Sequence, residues 1–238
     1  MNHGEKRNRW LPAALYLVGA FMGYAILATA CGPGLTATEK VHFLTENERL
    51  CNRPCLSGIV PGKTTESQLL DIIASSSPKQ FDDLRTNSNP ITGLRYSWHD
   101  RHSSFTAYSD VKSDQVRYTI LQTSPDIPIE TFIEVMGSPD LYSAKYGCGE
   151  QCGIRLYLFY ERFGLFTASF IPLAIQEGEV CHFTIPSEAG IDEIFLIPAL
   201  PVTEIESYLA PVFPDRFEHI QPWSGFELNA VSCPESPL

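Results

Sequence analysis

Past its first thirty residues the chain alternates between two hydrophobic rhythms. In GIVPGKTTESQLLDIIASS, residues 58–76, Leu69, Leu70, Ile72 and Ile73 recur at helical spacing behind the turn pair Pro61-Gly62. Thr65 with Gln68 three positions on makes a capping box, so a helix is expected to open there. Three period-two runs follow. Leu94, Tyr96 and Trp98 alternate with Arg95, Ser97 and His99 in LRYSWHD; Phe105 and Ala107 share a face in SSFTAYSD. Val116, Tyr118 and Ile120 do the same against Gln115, Arg117 and Thr119 in DQVRYTILQT. Such runs, broken by polar residues, predict an antiparallel meander buried on one side, with the preceding helix as its cover.

The order then recurs. SPDIPIETFIEVMGSPD reads as a short helix with Pro128 near its start and Gly137 at its end. Strands are expected at GIRLYLFYE and LFTASFIP, joined by the tight turn Arg162-Phe163-Gly164, and at DEIFLIP, residues 192–198. VTEIESYLAPVF adds a late helix, and PWSGFELNAV a last strand carrying Trp223 and Phe226. The recurrence predicts an α+β fold built from a duplicated helix plus antiparallel-sheet unit. Residues 51–124 would be the first repeat and 125–200 the second, with a C-terminal helix and strand, 201–238, packed on the second. Residues 31–50, polar and mixed, read as a spacer.

The first thirty residues have a different character. MNHGEKRNRW sets Lys6, Arg7 and Arg9 against Glu5, and LPAALYLVGAFMGYAILATA, residues 11–30, carries no charge. A basic patch before a long apolar run is the pattern of an export signal, with its positive end on the cytoplasmic side. The run also has about the ~20 residues of a spanning helix. At its end, Leu27-Ala28-Thr29-Ala30-Cys31-Gly32 resembles the lipobox of bacterial lipoproteins, with Ala28 where leucine is usual. That resemblance implies cleavage before Cys31 and lipidation of its thiol, palmitate being among the acyl chains. Signal peptide or uncleaved anchor, residues 1–30 would tether the folded part to a membrane, outside the cytoplasm.

Charge narrows the partners. Three basic residues and one acidic residue precede Cys31, which leaves Lys+Arg 14 against Asp+Glu 27, a net charge of −13. A field of that sign repels nucleic acid and anionic headgroups, which argues against a nucleic-acid function and keeps a tethered domain soluble.

The compartment decides how the cysteines read. With Cys31 lipidated, Cys51, Cys55, Cys148, Cys152, Cys181 and Cys233 remain, an even set that outside the cytoplasm reads first as disulfides. Fifteen connectivities are open to six cysteines. The simplest joins Cys51 to Cys55 and Cys148 to Cys152 and closes a long loop with Cys181–Cys233. Zinc shared by the two CxxxC pairs is permitted by spacing, though no histidine adjoins either pair and an oxidising compartment disfavours free thiolates. A thioredoxin-like redox role fits less well, since neither pair opens a helix after a strand.

Few residues suggest chemistry. If Asp100-Arg101 were a two-residue turn, His99 and His102 would face each other across the strands, close enough to share a metal. Asp-Arg is a poor turn pair, however, and an exposed polar loop is the plainer reading. Cys181 beside His182 is badly placed for proton transfer, because adjacent strand residues point to opposite faces. Glu130 and Glu134 share a helix face, as solvated carboxylates commonly do. No nucleophile elbow, zinc-protease, phosphate-loop or calcium-loop spacing occurs, so no catalytic residue and no cofactor is expected.

GIVPGKTTESQLL after an anchored cysteine resembles the opening of SmpA/BamE-type envelope lipoproteins and of the β-lactamase-inhibitory-protein-like fold. SPDIPIETFIEVMGSPD is similar to the same element in a second copy. CNRPCLSGIVPGKTT, with the late PWSGF, resembles uncharacterised bacterial lipoproteins that begin with a P-C-x-x-G-I-x-P-G-x-T segment. These motifs cover about forty residues. They imply a non-catalytic envelope protein that acts through protein contacts or assembly, and they carry over no catalytic residue. The alternative is an extracytoplasmic hydrolase, or a solute- or metal-binding module, with its site near His99 and His102.

Overall fold

Nine of the described strands join into one sheet, because one long strand belongs to both halves of the chain. The computed structural model describes residues 36–46, 55–75, 81–89, 93–100, 105–148, 151–172, 183–210, 217 and 220–228, all within the compact unit Leu35–Leu238. The first meander is β1 Phe81–Asn89, β2 Gly93–Asp100, β3 Phe105–Lys112 and β4 Gln115–Pro128. The second is β5 Leu141–Cys148, β6 Cys152–Tyr160 and β7 Leu165–Pro172, with β9 Gly190–Leu196 arriving later. Short strands complete the set: β8 Phe183–Thr184, β10 Gln221–Pro222 and β11 Glu227–Leu228.

Strand β4 does not stop where the halves were expected to part. Thr119 to Gln122 pair with Leu196 to Glu193, and after a register shift Ile127 and Pro128 pair with Ile191 and Gly190. On its other side β9 pairs with β7, Leu165 opposite Leu196. The result is a single antiparallel sheet of nine strands, ordered β1-β2-β3-β4-β9-β7-β6-β5-β10, beside a two-stranded β11-β8 ribbon. This overturns the expected α+β fold of duplicated helix-on-meander units. The protein is mainly β, and its four described helices are only eight to ten residues long: α1 Ala37–Glu46, α2 Glu66–Ser75, α3 Ile129–Met136 and α4 Val202–Leu209.

Alternation along the strands builds a core on each face of the sheet. Ile154, Leu156, Leu158 and Tyr160 of β6 join Val41 and Leu44 of α1, Leu69 of α2, and Ile129 and Phe132 of α3 in one cluster. Tyr157 and Phe159, on the opposite face, pack with Phe166, Phe195, Phe217 and the α4 residues Ile205 and Leu209. Phe166 and Phe195 are cross-strand partners whose rings stack 4.3 Å apart. Each such fully buried side chain removes enough apolar surface to contribute ~1.5–3 kcal/mol before entropy is counted.

Local signals hold where the chain is punctuated. The Thr65–Gln68 capping box forms in both directions, Thr65 N–H to Gln68 Oε1 at 3.0 Å and Gln68 N–H to Thr65 Oγ1 at 3.2 Å. A second box opens α1, inside the stretch expected to be a spacer. There Thr36 N–H donates to Glu39 Oε2 at 2.7 Å, Glu39 N–H returns to Thr36 Oγ1, and Val41 and Leu44 are fully buried. The Arg162-Phe163-Gly164 turn is a single 3-10 turn, Glu161–Phe163, closed by Gly164 in the left-handed conformation. The expected last strand does not form as one. Trp223 and Phe226 lie between β10 and β11, with rings edge to face.

Candidate functional site

Register decides the fate of the histidine pair. Asp100 stands opposite Phe105, so four residues, not two, separate the ends of β2 and β3. His99 therefore faces Thr106, whose Oγ1 lies 3.5 Å from its Nδ1, and the Asp100-Arg101 turn that would set it against His102 is not made. His102 lies outside the described residues, as do Cys31, Cys51, Cys181, His182 and Cys233. Glu130 and Glu134 are exposed on α3. Among the described residues no three His, Cys, Asp or Glu side chains are grouped to hold a metal, and no helix is long and apolar enough to cross a membrane. Cys55, fully buried, and Cys152 are each disulfide-bonded. Backbone pairing sets Cys148, the last residue of β5, directly opposite Cys152.

The β1–β4 end of the sheet is asymmetric. Its helix-side face buries Tyr96, Trp98, Phe105 and Ala107. Its reverse face carries Arg95, Ser97 and His99 on β2, then Thr106, Tyr108 and Asp110 on β3, by the pairing of the two strands. There the polar groups satisfy one another. The Arg95 guanidinium, partly exposed, grips the fully buried Asp110 carboxylate, Nε to Oδ1 at 2.6 Å and Nη2 to Oδ2 at 3.0 Å. The Tyr118 hydroxyl donates to the same carboxylate. Burial, and then that bond, hold the Tyr118 phenol above its ordinary range. Further along, Tyr108 donates to Gln122 at 3.0 Å, and Gln122 reaches Glu193 at 3.4 Å.

Helix α4 closes the neighbouring part of this face. Arg117 Nη2 donates to the Tyr208 carbonyl at 2.8 Å, and the Tyr208 hydroxyl donates back to the Arg117 carbonyl at 2.8 Å. The guanidinium also sits over the Tyr208 ring, 5.0 Å from its centre, a contact worth ~0.5–2 kcal/mol. Beyond α4's cover the sheet face is a hydrogen-bonding surface, with one ion pair, Arg95–Asp110, and a Tyr108–Gln122–Glu193 chain. Asp110 is shut in by Arg95 and Tyr118, so it holds the strands together and is not poised to take a proton from a substrate. Sequence alternation already placed Arg95 outward. That Asp110 is its partner was hidden, because SD at the end of a run reads as a turn.

An open groove of about 440 Å³ lies at one end of the meander, lined by Glu66, Ser88, Gly93, Leu94 and residues 111–114. Ser113 and Asp114 both take positive φ, 54° and 63°, as a two-residue hairpin turn of the primed type requires. The α2 start is sewn to that turn, with Glu66 N–H donating to the Asp114 carbonyl at 3.3 Å. Glu66 also accepts the Tyr96 hydroxyl, and the bond pushes the phenol up to about 12. The groove is wide to solvent and presents two carboxylates and one lysine. It is a surface feature and not an enclosed reaction chamber.

The sheet's outer strand is the remaining feature. Every residue of β1 from Asp83 to Ser88 is exposed, so neither core layer reaches it, and it bonds to β2 alone in the nine-stranded order. No family model matches this chain, and neither a curated protein nor a solved structure matches it.

Proposed function

We propose that this is a membrane-tethered extracytoplasmic lipoprotein of the cell envelope that works through protein–protein contact or assembly, without catalysis. The single observation that carries the reading is the leader: Lys6, Arg7 and Arg9, then a charge-free run to Ala30, then Cys31 in a lipobox-like setting. Disulfide-bonded Cys55 and Cys152 support an oxidising compartment. The open face beyond α4, where Arg95 is paired with Asp110 and Tyr108 with Gln122, supports a polar surface that meets another protein. Tethering supplies the rest, since confinement on one membrane raises the effective concentration of neighbours.

Intact mass of the chain extracted from membranes tests this. The expected product begins at Cys31, carries acyl mass, and loses that mass in Cys31→Ser. A full-length, unmodified chain recovered from the cytosol overturns the reading.

A further inference from the structure

We propose that β1 is a self-association edge, through which two copies of this chain pair antiparallel over residues 85–89 with a two-fold axis at Asn87. A sheet edge offers a row of backbone donors and acceptors to any strand that fits, and folded proteins block edges with bulges, charge or proline. The N-terminal half of β1 is blocked in this way. Asp82 pairs with His99 and Arg85 with Ser97, so Asp83 and Leu84 together oppose one residue, and Asp83 has φ 57°. The Arg85 guanidinium folds back on Asp83, Nε to Oδ1 at 3.1 Å.

Among the described residues nothing blocks the C-terminal half. From Arg85 to Asn89 the pairing with β2 runs without a break, opposite Ser97 through Gly93. This stretch has no proline, no bulge and no charge past Arg85. Its sequence suits a copy of itself. With the axis at Asn87, that side chain meets its own copy, and an amide is both donor and acceptor. Thr86 faces Ser88 of the second copy, a hydroxyl pair of the kind that stabilises cross-strand contacts. Moving the axis to Arg85 would oppose two guanidiniums, and moving it to Leu84 would centre the pairing on the bulge.

Five residues a side fall far short of the roughly 20–30 of a standard interface, so the contact is weak between free molecules. Confinement on a membrane makes a weak contact count. The pairing geometry stands on the strand alone; its occupancy in the cell rests on the tethered reading above.

Asn87→Cys in the full chain, in native membranes, reads the axis directly. Residues opposed at a two-fold bring their Cα atoms to ~4.5–5.5 Å, inside the range a disulfide accepts. A reducible species of twice the chain mass is expected. Ser88→Cys puts its two copies ~8 Å apart, about 7 Å of it along the strand, and Leu84→Cys puts them farther, so both should give little. Detergent extraction and dilution before oxidation should remove the Asn87→Cys dimer. Equal crosslinking at the three positions, or none at Asn87→Cys, overturns the pairing. Fractionating the same cells into membrane and soluble parts reports separately on the tether.

Discussion

The Arg95 guanidinium and the Asp110 carboxylate meet through two parallel hydrogen bonds, yet only the arginine reaches solvent. That difference sets which partner is costlier to lose. Arg95→Met leaves a fully buried carboxylate with only the Tyr118 hydroxyl, and breaking a buried pair in this way costs ~3–5 kcal/mol. Asp110→Asn frees a guanidinium that water can reach, and the expected loss is about 1–2 kcal/mol. Urea unfolding of both variants checks the order. If Asp110→Asn proves the more damaging, the burial argument is wrong.

Several tyrosines share one pH sign. Tyr118 and Tyr160 are held above the ordinary phenol range chiefly by burial, and Tyr96 sits at about 12 through its bond to Glu66. A folded value raised above the unfolded one means that the native state keeps protons the unfolded chain releases. Stability from these groups is complete below the unfolded value of ~10 and is lost as pH climbs from there through 12. Thermal midpoints should hold steady to about pH 9 and then fall. Tyr118→Phe, which cannot ionise, should flatten part of that fall even if it lowers stability near neutrality.

At Gly164 the chain needs a residue without Cβ. Its φ is 61°, and a Cβ there would lie 2.6 Å from the carbonyl oxygen of Ile197, a residue just past β9 whose N–H donates to the Gly164 carbonyl. Gly58 has φ 89° with nothing within 4 Å of a Cβ, so it isolates the conformational cost alone. Gly58→Ala should cost ~1 kcal/mol, and Gly164→Ala clearly more, since strain and collision add. Equal losses in a denaturant series would remove the collision from the account.

Why some elements were visible in the sequence and others not follows from what each buries. Trp98 and Phe105 alternate with polar neighbours because only one face of their strands is covered, and alternation is what a reader sees. FDDLRTNSN has no such rhythm, and Asp83 to Ser88 of β1 are exposed on both faces, while LYSAKYGC hides β5 behind small and polar residues. The merging of two meanders into one sheet depends on β4 meeting β9 some seventy positions away, which no local pattern records. A two-residue turn and a four-residue loop give His99 different partners, and the poor turn chemistry of Asp100-Arg101 already favours the loop.

The α1 helix shows a different blind spot: TATEK looked like spacer because its capping residues are polar. Thr36→Ala removes the acceptor for Glu39 N–H and should cost ~0.5–2 kcal/mol. Hydrogen bonds from Thr36, the backbone one first, hold the Glu39 carboxyl below its usual range. A depressed folded value gives stability that is present above the unfolded value of ~4.3 and is lost as pH falls through the folded one. The wild type should therefore lose more stability than Thr36→Ala between pH 5 and pH 3. Thr36→Ala keeps the backbone N–H that holds the carboxylate most strongly, so parallel losses in acid melts would deny an electrostatic part to the hydroxyl alone.

Pairing across the β5–β6 hairpin narrows the cysteine connectivity. Cys152 is disulfide-bonded, and the residue opposite it across the β5–β6 hairpin is Cys148. Directly paired antiparallel residues have Cα separations of ~4.5–5.5 Å, within the range a disulfide spans without moving the backbone. We therefore expect Cys148–Cys152 in a non-reducing digest, and Cys51–Cys55 as the local counterpart for buried Cys55. A ring of five residues constrains little unfolded chain, so replacing both Cys148 and Cys152 by Ser should cost no more than ~2 kcal/mol. The 53-residue loop closed by Cys181–Cys233 should be worth about 4 kcal/mol. The order of these losses carries the test, because the chain-entropy argument predicts that the short staple fixes a hairpin tip while the long one secures the fold. A peptide linking Cys55 to Cys152, or two free thiols at the hairpin tip, would falsify the assignment.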